Sequence, residues 1–475
     1  MRWTLLALLV ATAGLGPVAA GLPTAGAGPK DPAELSAGFA EADITPDVKA
    51  KPVYLAGFGQ NRVATGVHDP LFARAVVLAE RGRKVALVSV DLIGFFHANV
   101  ANVRQELAGY HYVLISSTHN HEGPDTLGLW GPNAFQSGVD PAYLRLVERR
   151  IVECVRAAEK AARPVTAHLG TAAAPELLND SREPYIKHDE LVAVRFDDAQ
   201  TGRPAGLLVQ WNCHPETLGS KNTLVSADFV GFTVNSLKTK YNCPVVYFTG
   251  TVGGLLSSLS VPVKDEQGRL LADGTYEKTE RYGELLSRVV DRALKSAKPV
   301  RLTPLAVRSR LVFVPLENKL YLAARWLGVL RRDAYLWSGD PYQADPAGPE
   351  VMDKPMAIRT EVAILRFGEL EAVAVPGEIY PELVLGKVQD PPDAGADFPD
   401  APIEPAVYAQ LRGPHRMIFG LANDEIGYLL PKRQWDVKPP FCYGRTRAQY
   451  GEINSVGPDA GPVICRAIKD LAAAK

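Results

Sequence analysis

"RAVVLAERGRKVALVSVDLIG", Arg74 to Gly94, decides the fold. It reads as a strand, a polar turn, and a second strand that is nearly all apolar and runs out at Asp91. Short β-branched runs bounded by turn residues are the signal of a hairpin. A strand with no polar face is expected where both faces are buried. The same plan recurs in "LVAVRFDDAQTGRPAGLLVQWNCHPETLG" (191–219), which leads to His214. It recurs again in "TEVAILRFGELEAVAVPGEIYPEL" (360–383), which leads to Glu378. "HYVLISSTHNHEGPD" (111–125) is a related case: an apolar strand followed directly by His119 and His121. Each time, an ionisable residue stands where a buried strand ends. Strand ends hold such groups more rigidly than loops can.

Helical periods separate these units. "PAYLRLVERRIVECVRAAEKAARP" places Leu144, Val147, Ile151 and Val155 on one face and stops before Pro164. "EKTERYGELLSRVVDRALKSAKP" does the same with Leu285, Val289 and Leu294, and "KLYLAARWLGVLRRDAYLW" reads as a third helix. "VKDEQGRLLADGT" and "SGDPYQADPAGPEVMDKP" read as surface excursions within one domain. No fixed-period repeat is visible. The expectation is an α/β fold of mixed β-sheets with flanking helices, built as a single large catalytic domain over residues 37–475.

With 475 residues, 47% hydrophobic and 22% charged, the chain has the composition of a globular protein. Its formal net charge of −1 offers no electrostatic argument for nucleic acid as a partner. Arg2, the apolar "LLALLVATAGL" and the small residues Val18-Ala19-Ala20 predict a signal peptide over residues 1–20. A flexible lead-in comes next, over 21–36, and the mature protein is expected to be secreted or periplasmic. Five cysteines is an odd number, so at least one is unpaired or pairs with another chain. Cys154 falls in a helical apolar stripe and reads as core.

Histidine and carboxylate at strand ends are ligand types for zinc. Because side chains alternate on an extended chain, His119 and His121 would share one side. A bound metal lowers the pKa of its water from about 15.7 to about 7. Against this stands the ordinary number of histidines, nine in the chain, and the weakness of a lone HxH. Two known metal-site patterns fit poorly. Glu122-Gly123-Pro124-Asp125 replaces the Asp-His that a metallo-β-lactamase pattern needs, and no Asp-x-His accompanies "NHE" as a calcineurin-like phosphoesterase requires.

The ordered set "GFAEADITP", "GVHDPLFARAVVL", "STHNHEGPD", "NCHPETLG", "FTGTVGGLLSS", "AVPGE" and "ANDEIGYLLP" resembles the neutral/alkaline non-lysosomal ceramidase family in its N-terminal catalytic domain. The resemblance runs from about Ala37 to Gly457. It implies an exported Zn2+-dependent amidase that cleaves the N-acyl bond of ceramide or a related substrate. Carried over by position, the zinc ligands would be His119, His214, Glu378 and Tyr428. His121 would be an electrophile or proton shuttle, Arg182 would steady the transition-state charge, and Tyr450 would be a second active-site tyrosine. The implied partner is a small-molecule or lipid N-acyl substrate, with transient contact to a membrane surface allowed for.

Two departures stand out. The family's serine block, "GDVSP", is matched by "VGGLLSS", with Gly254 for Asp and Leu256 for Ser; Ser257, one position further on, is the candidate to serve as the catalytic serine in its place. The chain is also expected to be a short member without the additional C-terminal domain of classical members. These departures leave two rival readings. One is another metal-dependent hydrolase, an esterase or phosphoesterase, on the same ligands. The other is a catalytically silent member that binds a lipid or glycan.

Overall fold

A computed structural model describes residues 35–348 and 354–474. The expected leader lies outside the described residues. So does the lead-in except at its end, where Leu35 is buried and Ser36 opens the first strand.

The hairpin reading holds. Strands Phe72–Glu80 and Arg83–Val90 pair antiparallel around Arg81-Gly82, both of positive φ. They belong to a nine-stranded mixed sheet. From one edge eight strands run Val245–Thr249, Pro204–Trp211, Glu190–Asp198, Arg163–Ala173, Ser36–Asp43, Phe72–Glu80, Arg83–Val90, Tyr112–Ser117, and the ninth, Lys298–Pro299, pairs with Arg163–Ala173 off this path. The outermost pair at each end is parallel. Parallel pairing needs a crossover, and helices supply it. Helix α1 (His97–Glu106) precedes Tyr112–Ser117, and α3 (Asp228–Tyr241) precedes Val245–Thr249. A six-stranded sheet built on Met356–Phe367 and Leu370–Ala374 packs face to face with the first. The shared core joins Leu87, Leu114, Val194 and Phe248 to Leu365, Phe367, Ala372 and Phe419.

Helices cover the outer faces. Helix α2 (Pro141–Lys160) buries Val147, Ile151, Cys154 and Val155 against Val77, Val88 and Val113. Its N-cap, Asp140, accepts from Ala142 N–H. Helix α4 (Tyr276–Lys295) packs beside α3, burying Leu286, Val289 and Val290, while Leu285 is only half-buried. The third expected helix is shorter than its period suggested. Helix α5 covers only Lys319–Trp326, and "AYLW" forms strand Ala334–Trp337. Gly328, of positive φ, ends the helical run. The short α6 (Pro381–Leu385) comes just after Glu378, and α7 (Ala460–Ala473) buries Ile464 and Ile468 on the second sheet. No described helix is long and apolar enough to cross a membrane. All five cysteines are buried free thiols.

The two edges of the large sheet come together. Thr249 Oγ1 donates to Thr118 O at 2.7 Å, and Gly420 and Leu421 seal the gap through Gly420 N–Thr249 O (2.9 Å) and Ser117 N–Leu421 O (3.1 Å). The strand ends that precede His119 and His214 therefore face a common point.

Asp91 serves the sheet. Its carboxylate takes both oxygens to Arg74 Nη1 (2.8 and 2.7 Å) and accepts from Phe72 N–H, with both side chains almost wholly buried. Removing one member of such a pair leaves a buried charge unpaired. Asp91→Ala is expected to cost about 3–5 kcal/mol in urea unfolding. A loss under about 1 kcal/mol would show that water reaches Arg74.

Candidate functional site

Four chain segments meet below the seam. His119 lies two residues past strand Tyr112–Ser117, His214 three past Pro204–Trp211, and Glu378 four past Leu370–Ala374. Glu378 also opens a two-residue strand that pairs parallel with Tyr428–Leu429, so Tyr428 sits directly beside it. All four side chains are buried.

The histidines are oriented for binding. His119 Nδ1 donates to Ile93 O and His214 Nδ1 to Leu256 O, each at 2.8 Å. This fixes the tautomer and leaves Nε2 as the inward lone pair, as metal-binding histidines require. Glu378 Oε2 lies 3.3 Å from His119 Nε2 and 2.9 Å from His214 Nε2. Tyr428 Oη is 3.5 Å from His214 Nε2.

His121 joins the cluster by a different route from the one the sequence suggested. The chain is not extended there, because His119 has a left-handed φ of 66°. The two rings nevertheless meet edge to face at 4.9 Å. His119, His121 and His214 offer nitrogens within 4.8 Å of one another and could hold a metal ion. This trio and the His119–His214–Glu378 set share two members. For the third ligand the geometry favours Glu378, whose oxygen already lies between both Nε2 atoms. His121 instead turns Nδ1 toward Glu216 Oε2 at 3.4 Å, and neither of its ring nitrogens has a hydrogen-bond partner.

Burial first, and then the neighbouring His119 and His214, push the His121 imidazole well below its ordinary value, so it is neutral. Burial also acts against charge on His214, but the bond to Glu378 and the charges of Glu216 and Glu378 outweigh it and raise its pKa. Burial alone would raise the Glu378 carboxyl, yet the two imidazoles hold it far below the usual carboxylate range. Burial and then Glu378 keep the Tyr428 phenol protonated, and burial does the same for Tyr450.

Of the remaining expected residues, Tyr450 stands at the site, its ring 5.9 Å from that of Tyr428. Arg182 does not point into it. Its guanidinium makes a two-pronged pair with Glu452 (2.9 and 2.8 Å) and donates to Tyr450 O and Gln434 O. It anchors the segment that carries Tyr450. Leu256 is fully buried in the core behind His214. Ser257 turns its hydroxyl to Glu216 Oε1, so it reaches His121 only through that carboxylate.

Glu216 is the residue that sequence reasoning missed, although it lies in the quoted "NCHPETLG". "YLAGFGQNR" (54–62) was missed as well. Arg62 donates to His121 O, Ala56 O and Glu122, fixing the His121 backbone. Gly57 (φ 94°) lies so close to the imidazole that a Cβ would stand 2.4 Å from its Cγ. Only glycine fits there.

Beyond the polar head lies a narrow cavity of about 80 Å³ walled by Ile93, Phe96, Leu127, Leu316, Leu330 and Ile358, with Tyr450 at its margin. Its lining is mostly apolar, with Arg332, Glu425 and Asn454 among the polar residues besides the head.

The chain is thus a mixed α/β protein with a buried histidine–carboxylate head. Residues 35–245 match the family model "Neutral/alkaline non-lysosomal ceramidase, N-terminal", which bears out the resemblance read from the sequence motifs. The neutral ceramidase of Drosophila melanogaster is 28% identical over 240 residues, covering 44% of this chain. The match spans about a third, 33%, of that relative's length. The crystal structure of neutral ceramidase from Pseudomonas aeruginosa superposes with a TM-score of 0.69 at 19% identity, covering 93% of this chain and 74% of that one. A ceramidase structure complexed with C2 gives 0.68 at 17% identity, covering 93% of this chain and 75% of that one. At these identities the two structures establish the fold. The family match ends before Ser257, Glu378, Tyr428 and Tyr450, so geometry alone brings those residues to the site.

A metal at His214 Nε2 must displace the proton that Glu378 helps to hold. The raised His214 value means the imidazolium stabilises the metal-free fold below the ordinary 6.5, and that contribution fades as pH rises through the folded value. The depressed Glu378 contributes above the ordinary 4.5 and loses its contribution as pH falls through its folded value. Zinc affinity, measured by chelator competition, should therefore rise at least about tenfold between about pH 6 and pH 8. A flat profile would exclude His214 as a ligand.

Proposed function

We propose that the protein is a zinc-dependent hydrolase that cleaves the N-acyl bond of ceramide or a related N-acyl substrate. The observation that carries this reading is the convergence of His119 Nε2, His214 Nε2 and Glu378 Oε2 at the polar head of an apolar cavity. His119, His214 and Glu378 would hold the ion, with Tyr428 as a neighbouring fourth donor. The orientation of both histidines by backbone carbonyls fits that role. When bound, zinc supplies Lewis acidity toward a carbonyl oxygen and acidifies a water molecule.

The chain's own groups do the rest. The apolar walls take the acyl chain and exclude water. Tyr450 remains protonated and offers an O–H donor to the oxygen that gains charge as the amide carbonyl becomes tetrahedral. Neutral His121, with free ring nitrogens, can take a proton from the attacking water as its oxygen bonds the carbonyl carbon, and deliver it to the amine nitrogen as the C–N bond breaks. The products are a carboxylic acid and an amine. Arg182 acts indirectly, by holding the Tyr450 segment through Glu452. A leader over residues 1–20 would export the enzyme to where such lipids lie.

Metal analysis of purified protein tests the ligand set. About one zinc per chain is expected, and it should be lost in both His119→Ala and Glu378→Ala. No metal in the wild type, or metal kept in both variants, would overturn the assignment. About two metals per chain would favour a phosphoesterase instead.

Turnover of N-acyl amides tests the residue roles. His121→Ala should lower kcat/KM by about 10²–10⁴. Ser257→Ala should lower it by less than about tenfold, because its hydroxyl is committed to Glu216. The core position of Leu256, where the family has its serine, favours one second reading, a silent lipid binder. An intact metal site with no turnover of any acyl amide or ester would select it.

A further inference from the structure

Helix α5 is apolar on both sides: Tyr321 and Leu322 pack on the second core, and other apolar residues face outward. It has no buried residue. Its outward stripe is Leu320, Ala323, Trp326 and Leu327, at helical spacing, with Leu320 61% and Trp326 60% exposed. A helix of a water-soluble surface normally turns such a stripe inward. Fixed contacts hold it in this attitude. Asn318 caps it and also donates to Ile453 O and Ser455 O (2.8 Å each), while Tyr321 Oη donates to Asn454 O at 3.1 Å. Its inner side meets the cavity wall, since Tyr321 lines the cavity and Ala324 packs against the cluster of Ile93, Phe96, Leu127 and Leu330.

Immediately past its C-terminal end the charge changes. Arg325, Arg331, Arg332 and Arg359 line an open cleft in which Asp333 is the single carboxylate among the described lining residues. Arg332 is committed to Asp424. The other three have no ion pair among the described residues. Phe96, Leu330 and Arg332 line both this cleft and the apolar cavity, so the two adjoin.

We infer that α5 and the adjacent arginine cleft form a docking surface for an anionic lipid bilayer. Trp326, Leu327 and Leu320 enter the interface, and the cleft receives a lipid headgroup phosphate. Exposed aromatic and aliphatic residues beside basic ones are the pattern of an interfacial helix. A second protein molecule would explain the apolar stripe but not the cationic cleft beside it. A bilayer explains both, and it sets the mouth of the cavity at the surface from which an acyl chain would come. That last point rests on the proposed function; the docking surface itself does not.

The test uses the full purified chain and sedimentation with vesicles. One set is phosphatidylcholine alone and the other carries about 25% phosphatidylserine. Wild type should partition onto the anionic vesicles at least about tenfold better than onto the neutral ones. Trp326→Ser combined with Leu327→Ser should lower partition onto both by about tenfold or more. Arg325→Gln combined with Arg331→Gln should remove the preference for anionic vesicles. Leu270→Ser, a change at another exposed apolar residue, should change nothing.

Failure of wild type to bind either vesicle, or binding by the α5 variant equal to wild type, would overturn the proposal. So would a wild-type dimer in solution that the α5 variant splits, because the stripe would then be a self-association face. Turnover of a soluble short-chain N-acyl amide is read in parallel and should be unchanged in all these variants. Vesicle binding without turnover would refute only the proposed function. Turnover without vesicle binding would refute only the docking surface.

Discussion

Glu378 Oε2 sits between the Nε2 atoms of His119 and His214, 3.3 and 2.9 Å away. Three segments that are remote in sequence must end within hydrogen-bonding distance of one oxygen. That requirement explains much of the architecture. The large sheet closes on itself through Thr249 and Thr118 so that the ends leading to His119 and His214 face each other. The second sheet packs against it so that Leu370–Ala374 delivers Glu378 from the other layer. An unpaired carboxylate at this depth would be strongly disfavoured. The histidines hold its charge, and the carbonyls of Ile93 and Leu256 in turn hold the histidines.

The strands and most of the site were legible in the sequence because they depend on local rules. A run such as "KVALVSV" has no polar face, so it must lie between two layers. The next polar residues must then emerge at a strand end. His119, His214 and Glu378 are visible on that ground alone. The periods of α2 and α4 were read correctly because each buries one broad stripe. Helix α5 was overextended. Its period continues past Trp326, but Gly328 and the β-forming "AYLW" redirect the chain.

The features that were not legible depend on tertiary position. Arg182 carries no local sign of its partner Glu452, which lies 270 residues away. A motif match placed it at the reacting centre, while its ion pair places it behind the centre. No local pattern marks Glu216, and only the fold shows it reaching both Ser257 and His121. The roles of Gly57 and Arg62 likewise exist only once their loop folds over the His121 imidazole. The substitution at Leu256 was plain in the sequence. Its consequence, a core side chain with the neighbouring hydroxyl turned to Glu216, was not.

The seam at Thr118 and Thr249 also bears on the order in which the molecule can assemble. Those two residues are 131 apart in the chain, and His214 and Glu378 are 164 apart. Contacts of such separation form late, because the chain must lose loop entropy before they contribute anything. The hairpins and the α2 layer are local and can form first. The reactive cluster is then completed only when the last sheet edge closes. A nascent or partly folded chain would carry most of its secondary structure and not the assembled His119–His214–Glu378 cluster, so the cluster forms only with the completion of folding.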